Sequence, residues 1–297
     1  MPISLPRSNR LAADTQPNHL RPFAHHGVHL EIHGGHAVGD CPFCGRDGKF
    51  SVAVDTGLWR CFVCGSGTKN GGGNPLVFLR LLHERSSACV GPAVAALSTD
   101  RKLLDLATLP SWGVCQSVVD GAVLVPGYGT DGALDQLYRR VWVRGCAHQG
   151  GSWRLLPTPG VWPEGKVHAL HLPPGDFDLA RDTIDVCEGP WDGMAMWEVM
   201  HGSGLAHTTV VAVPGCNVWR DEWTELCRGK HVRLWFDSDH PRVHFGHTSR
   251  AGFDGMYRVA RRLSGAAASV QWLRWGKEGW DETRPSGWDV RDFLTSE

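Results

Sequence analysis

Four cysteines in two Cys-x-x-Cys pairs are the feature that most constrains how this chain folds. Cys41 and Cys44 form the first pair, and Cys61 and Cys64 follow after sixteen residues. This spacing fits a four-thiolate zinc site, in which each pair takes two corners of a tetrahedron. Two disulfides are the alternative, but the N-terminal residues lack the apolar core of a signal peptide. The sequence therefore predicts structural zinc, with no coordination position left open for catalysis.

The residues around the cysteines have the pattern of short antiparallel strands. The segment between the two pairs alternates between apolar and polar side chains and has a turn signal at 55–57. A second predicted hairpin, over 29–40, contains His36, which is the best alternative zinc ligand. We therefore predict a zinc-ribbon β domain over residues 25–100, preceded by a flexible arm over residues 1–24.

Composition and charge exclude some classes of protein. The chain is 42% hydrophobic and 21% charged, with a formal net charge of −1, so there is no global basic signal for nucleic acid. A small basic excess in residues 1–105 and a small acidic excess in residues 183–297 still permit local patches. No apolar run reaches the length of a membrane span. We expect a cytoplasmic protein without a membrane partner.

A strand, a turn and a second strand are predicted over residues 121–143. Basic side chains lie on the second strand and beyond it: Arg139, Arg140, Arg144, Arg154 and Lys166. One interpretation is an edge strand that its charges protect from pairing. The other is a track that binds phosphate groups. The sequence alone leaves both open.

From residue 183 onward, predicted strands alternate with predicted helices. The strands cover 184–187, 208–213, 231–236 and 269–273, and the helices cover 191–201, 221–227 and 253–263. This alternation implies a parallel sheet with helical crossovers. Ligand sites in such sheets lie at the carboxyl ends of the strands.

Two of these strands end in acidic residues. Glu188 follows the first strand, and Asp237 and Asp239 follow the third. Two carboxylates that lie two residues apart on an extended segment share one side and repel each other unless a cation joins them. Hard oxygen ligands at this distance suit magnesium or manganese. Helix N-capping is the alternative, and it explains one aspartate more easily than the whole set.

The combination of motifs resembles the TOPRIM domain of primases, of type IA and type II topoisomerases and of some nucleases. Glu188-Gly189 at one strand end and Asp237-x-Asp239 at another carry this likeness. A four-cysteine ribbon ahead of such a domain is similar to the DNA primases, both the bacterial replicative type and the phage primase-helicase type. The stretches VLVPGYGTDGALDQLYRRV, CEGPWDGMAMWEV and WDVRDFL resemble parts of the primase catalytic region.

The resemblance implies an α+β fold, in which an N-terminal zinc-ribbon β domain is followed by a TOPRIM-containing α/β RNA-polymerase domain. Residues 101–182 would form the N-terminal subdomain of this catalytic region, and residues 183–297 the TOPRIM subdomain. The implied enzyme is a DNA primase, a nucleotidyltransferase that makes short RNA primers on single-stranded DNA in a bacterial or phage-infected cell. Nucleoside triphosphates and magnesium or manganese would be required. Because the chain has no P-loop motif, we expect the replicative helicase to be a separate partner.

The resemblance also assigns roles to individual residues. The acidic catalytic positions are Glu188, Asp237, Asp239 and, as a fourth, Asp289. The residues implied to bind nucleotide or template are Arg139, Arg140, Arg154, Lys166 and Trp59. Trp59 and its neighbour Phe62 would stack on template bases or, alternatively, form the small core of the ribbon. The chain departs from the family at an insertion over 241–250 and at Arg291, where relatives often have asparagine.

Two other functions compete with this interpretation. A TOPRIM-type metal-dependent nuclease would use the same carboxylates. A topoisomerase would need an active tyrosine in its own domain, and the chain has three tyrosines in a short sequence. A non-catalytic zinc-ribbon protein that binds single-stranded DNA and recruits replication factors would not need the carboxylates at all.

Overall fold

The computed structural model describes residues 17–64, 71–101, 105–143, 152–162, 168–204, 207–244 and 246–296. The chain divides into two compact units. The first comprises Met1–Ala96, Gly113–Gly127 and Leu134–His168, and the second comprises Leu97–Trp112, Tyr128–Ala133 and Ala169–Glu297. None of the described helices is long and apolar enough to cross a membrane.

The first unit begins with helix α1 (Arg21–His25) and a five-stranded antiparallel sheet. The strands lie side by side in chain order: β1 (Glu31–His33), β2 (His36–Gly39), β3 (Phe50–Ala53), β4 (Trp59–Cys61) and β5 (Gly72–Gly73). Each strand pairs antiparallel with the next. Both predicted hairpins are therefore present, and the β3–β4 hairpin carries the two cysteine pairs at its ends.

Aromatic side chains form the core beneath this sheet. Phe78, on helix α2 (Pro75–Ser86), lies with its ring centroid 4.8 Å from Phe23, 6.2 Å from Phe50 and 6.1 Å from Trp59. Aromatic rings supply a large buried area per residue, which suits a small sheet. Phe23 is fully buried, although it lies at the end of the stretch that we expected to be a flexible arm.

A second sheet lies mostly in the first unit. Its strand order is β6 (Cys115–Gln116), β7 (Val123–Tyr128), β8 (Leu134–Val143) and β9 (Ser152–Pro157). Two short helices, α3 (Pro92–Asp100) and α4 (Thr108–Ser111), precede it in the chain. β8 and β9 pair antiparallel. Neighbouring residues of β8 therefore point to opposite faces of the sheet.

The second unit is built on a four-stranded parallel sheet. In chain order its elements are β10 (Thr183–Glu188), α5 (Pro190–Gly202), β11 (Thr208–Val213), α6 (Asp221–Leu226), β12 (His231–Trp235), β13 (Arg242–His244), β14 (His247–Ser249), α7 (Ala251–Leu263), β15 (Ser269–Trp272) and α8 (Val290–Thr295). The order in the sheet is β11-β10-β12-β15, and every pairing is parallel. β13 and β14 form a separate hairpin within the predicted insertion.

The residues of the central strands explain this arrangement. The buried side chains include Ile184, Val186, Val210, Val211, Val232 and Leu234. Continuous apolar strands suit a parallel sheet that helices cover on both faces. The predicted α+β fold, with an antiparallel cysteine-bearing sheet followed by a parallel α/β sheet, is confirmed. The domain boundaries at residues 24, 100 and 182 stay predictions.

Candidate functional site

The four cysteines lie together at the end of the antiparallel sheet. The Sγ atoms of Cys41 and Cys64 are 3.8 Å apart, and so are those of Cys44 and Cys61. All four Sγ atoms lie within 4.8 Å of one another. Zn–S bonds of about 2.3 Å place the corners of a regular tetrahedron about 3.8 Å apart. The spacing therefore fits one zinc ion and is far longer than the S–S bond of a disulfide.

The local backbone prepares Cys61 to act as a thiolate ligand. The backbone N–H groups of Val63 and Cys64 donate hydrogen bonds to its Sγ atom, with N···S distances of 3.4 Å and 3.3 Å. Burial opposes ionisation, but these hydrogen bonds and those from neighbouring thiols lower the pKa of Cys61 to about 7, whereas burial raises the pKa values of Cys41 and Cys64. Zinc binds the thiolate form of cysteine. The donor set and its hydrogen bonds thus fit the predicted structural zinc site.

Three predicted acidic residues, Glu188, Asp237 and Asp239, lie at the edge of the parallel sheet that is formed by the carboxyl ends of its strands. We call this group the acidic edge. Glu188 is the last residue of the central strand β10, and Asp237 and Asp239 follow the neighbouring strand β12. The carboxylate of Glu188 accepts hydrogen bonds from the backbone N–H groups of Cys216 (3.2 Å) and Asp237 (3.3 Å). The carboxylate of Asp239 accepts one from the backbone N–H of Gly252 (2.9 Å). Backbone amides therefore hold both carboxylates in place.

Two glycines permit this close arrangement. Gly189 has φ 89°, and it turns the chain from the end of β10 into α5 directly after Glu188. Gly252, in the first turn of α7, lies against the Asp237 segment so closely that a Cβ atom would clash with the Asp237 carbonyl oxygen. A side chain at position 252 would therefore push α7 away from the acidic edge.

The acidic edge carries unfavourable electrostatic free energy. Burial and the Asp239 charge raise the pKa of Glu188 to about 6, although two backbone amides oppose the rise. Burial raises the pKa of Asp237 well above its ordinary value, and the charges of Glu188 and other nearby carboxylates add to the rise. A divalent cation at this edge would compensate these charges, and carboxylate oxygens suit magnesium or manganese. Among the described residues, however, the four cysteines are the only group of three or more His, Cys, Asp or Glu side chains that are close enough together to hold one metal ion.

The fourth predicted acidic residue, Asp289, has a different environment. It caps helix α8, because its carboxylate accepts a hydrogen bond of 2.9 Å from the backbone N–H of Asp292. The guanidinium of Arg291 donates to the same carboxylate and also, from Nε, to Asp192 at 2.8 Å. Burial raises the pKa of Asp192 to about 8, although the Arg291 charge opposes this rise. The sequence marked Arg291 as a departure from the family, but its pairing with Asp192 was not predicted.

The predicted basic track is not a single surface. Arg139 is buried, forms an ion pair of 2.6 Å with Asp120 and donates a hydrogen bond to the backbone of His25. This placement contradicts a contact of Arg139 with nucleotide or template. Arg140 points to the opposite face of β8, where its guanidinium lies 4.5 Å from the Trp153 ring centroid.

The remaining basic residue of the predicted track that the structure describes does not lie on one face of the sheet with Arg140 either. Arg154 is exposed on β9 and pairs in register with Val141, so it shares the face of Arg139 rather than that of Arg140. Lys166 and Arg144 lie outside the described residues.

Trp59 belongs to the core of the ribbon. It is 3% exposed, stacks on Phe50 with centroids 5.3 Å apart, and donates a hydrogen bond from Nε1 to the backbone of Asn74. The prediction that Trp59 stacks on template bases is therefore wrong, because its ring faces are already covered. Phe62 is 52% exposed, and the Arg60 guanidinium lies 4.0 Å from its ring centroid. Sequence reasoning missed Arg60, although its position between Trp59 and Cys61 on an alternating strand predicts exposure.

Comparisons with known proteins found similarity in structure only. No family model matches the chain, and no curated protein matches it. The crystal structure of the Aquifex aeolicus primase, with zinc-binding and RNA polymerase domains, is similar at a TM-score of 0.49 and 14% identity, over 97% of this chain and 82% of that chain.

Shorter primase structures give similar values. The RNA polymerase domain of Mycobacterium tuberculosis primase DnaG is similar at a TM-score of 0.44 and 17% identity, over 74% of this chain and 78% of that chain. The E. coli primase catalytic core is similar at a TM-score of 0.46 and 14% identity, over 73% of this chain and 75% of that chain. Identities of 14–17% and TM-scores below 0.5 carry no function from these primases to this chain.

Proposed function

We propose that this protein is a DNA primase, a metal-dependent nucleotidyltransferase that makes short RNA primers on single-stranded DNA. The observation that carries the proposal is the acidic edge formed by Glu188, Asp237 and Asp239. These carboxylates lie at the carboxyl ends of two adjacent parallel strands, where ligand sites of such sheets occur. The four-cysteine site on an antiparallel sheet of the same chain supports a nucleic-acid-binding module in addition to this chemistry.

The acidic edge would hold magnesium or manganese. When bound, such ions make a 3′-hydroxyl nucleophilic and neutralise the triphosphate charge as pyrophosphate leaves. The role of the protein is to hold the metal ligands in place. Backbone amides orient the carboxylates of Glu188 and Asp239, and Gly252 allows α7 to lie close to Asp237. Burial and the charges of neighbouring carboxylates raise the pKa values of Glu188 and Asp237. A cation at this edge would offset the repulsion between these charges.

The zinc ribbon would engage the template strand. Phe62 offers an exposed ring face, and Arg60 beside it offers a positive charge for a phosphate group. Stacking of bases on aromatic rings tolerates any sequence, which suits a protein that must start on many templates. Nucleoside triphosphates and a separate replicative helicase complete the proposed set of partners.

The test is primer synthesis on single-stranded DNA with labelled nucleoside triphosphates and magnesium or manganese. We expect new short oligomers from the wild type and none from Asp237→Asn/Asp239→Asn. The matched control is Asp221→Asn, whose carboxylate is 99% exposed on α6, and it should retain full synthesis. Cleavage of the DNA without synthesis would identify the nuclease alternative. DNA binding with neither activity would identify the recruitment alternative.

A further inference from the structure

Arg291 lies buried between two carboxylates next to the acidic edge. Its side chain is 16% exposed, and those of Asp192 and Asp289 are each 6% exposed. Nε of Arg291 donates to Asp192, while the terminal nitrogen Nη2 donates to Asp289. One guanidinium thus bridges two carboxylates, one from helix α5 and one from the N-cap residue of helix α8.

The carboxylates of this region therefore fall into two sets. Asp192 and Asp289 share a fixed positive charge. In the described part of the chain, no lysine or arginine forms an ion pair with Glu188, Asp237 or Asp239, and two of these three accept hydrogen bonds from backbone amides. In addition to burial, the charges of Asp192 and Asp289 raise the pKa of Asp237, and the charge of Glu188 raises the pKa of Asp192. The two sets belong to one electrostatic system but have different counter-charges.

We propose that Arg291 acts as a built-in cation, which occupies the place of a metal ion between Asp192 and Asp289. Metal binding is then confined to Glu188, Asp237 and Asp239. This inference rests on the proposed function only for the role of those three residues in catalysis. Arg291 is a positioning residue: it touches neither substrate nor metal, and it keeps two buried carboxylates from competing for the ion.

A purely structural ion pair between α5 and α8 would look similar, so the test must separate the two roles. Both roles predict that loss of the Arg291 charge lowers the melting temperature, because a buried carboxylate loses its partner. Only the built-in cation predicts that the vacated carboxylates take up a divalent ion. The number of bound ions is therefore the deciding measurement.

The experiment is a titration of the zinc-loaded full chain with Mn²⁺, in which electron paramagnetic resonance measures free Mn²⁺. The wild type and all variants are titrated at the same pH and ionic strength, so that differences in bound Mn²⁺ come from the substitutions alone. We expect Arg291→Gln to bind one Mn²⁺ more per chain than the wild type, and Mn²⁺ to restore its melting temperature. Arg291→Lys keeps the charge and should bind the wild-type number.

The double variant Asp192→Asn/Arg291→Gln provides the control for folding. It lacks both the guanidinium and one carboxylate, so it should fold and show no additional Mn²⁺. Should Arg291→Gln fail to fold without metal, folding in the presence of Mn²⁺ is the expected result. An unchanged Mn²⁺ count in a folded Arg291→Gln variant overturns the proposal, as does a variant that Mn²⁺ does not stabilise.

Failure of the proposed function would be visible separately. If the wild type makes no primers while Arg291→Gln still gains a Mn²⁺ site, the built-in cation stands and the primase assignment falls. If the wild type makes primers and Arg291→Gln binds no more Mn²⁺ than the wild type, the primase assignment stands and the built-in cation falls.

Discussion

Truncation of Phe62 should weaken binding of single-stranded DNA and leave the fold intact. The ring is 52% exposed, and its one described ring contact is with the guanidinium of Arg60, so Phe62→Ala removes a stacking surface and little core. Exposed substitutions of this kind usually change the free energy of unfolding by about 0.5 kcal/mol or less. Stacking of one base on an aromatic ring contributes roughly 1–3 kcal/mol. The expected loss of affinity is therefore about 5- to 150-fold.

The assay is fluorescence anisotropy of a labelled oligonucleotide with the zinc-loaded protein, at one fixed salt concentration. Salt must be fixed because phosphate contacts depend strongly on ionic strength. The matched control is Leu58→Ala, an apolar side chain of the same sheet region that is 55% exposed and has no π-face. We expect it to bind DNA as the wild type does.

Trp59→Ala should give the opposite result. Trp59 is 3% exposed and packs against Phe50 and Phe78, so truncation should cost about 3–5 kcal/mol of folding stability. Any loss of DNA binding should then follow the unfolded fraction. Phe62→Ala with wild-type affinity, or Leu58→Ala as damaging as Phe62→Ala, would refute the stacking role.

Three further predictions concern stability and metal. Arg139→Met should destabilise the protein by about 3–5 kcal/mol in urea unfolding, because it leaves Asp120 buried without its partner, and the DNA affinity of the folded fraction should not change. Burial holds the pKa of His26 well below 6.5, so the unfolded chain binds the proton first. Stability should fall as the pH drops below about 6.5; His26 alone contributes up to about 1.4 kcal/mol per pH unit, and His26→Gln should remove that part of the slope. Removal of zinc by a chelator should unfold the cysteine-bearing sheet, as measured by circular dichroism, and abolish template binding; retained structure would contradict a structural zinc site.

The features that were predicted correctly depend on the spacing of residues along the chain. Two Cys-x-x-Cys pairs bracket a hairpin, so their meeting requires only that one turn forms. Strands that alternate with helices predict a parallel sheet, and that topology brings Glu188 to the same edge as Asp237 and Asp239. In both cases the spacing along the chain already determines which side chains become neighbours.

The predictions for Arg139 and Trp59 were wrong because the residues that these side chains contact are distant in sequence. Strand alternation indicates that Arg139 and Arg140 point to opposite faces, but not which face is buried. That choice depends on Asp120 and on the backbone of His25, which is 114 residues away from Arg139. The same holds for Trp59, whose role was decided by Phe78 on the helix that follows the ribbon.

The division of the carboxylates shows why not every acidic residue near the strand ends belongs to one metal site. Asp192 and Arg291 are 99 residues apart, and no local pattern pairs them. Yet this contact decides which carboxylates remain available for a cation, because a buried carboxylate takes the nearest positive charge that the fold provides. A residue that breaks the expected pattern, such as arginine in place of asparagine, is therefore informative. It indicates where an arginine side chain, rather than a metal ion, balances the charge of buried carboxylates. The number of Mn²⁺ ions bound per chain tests this inference.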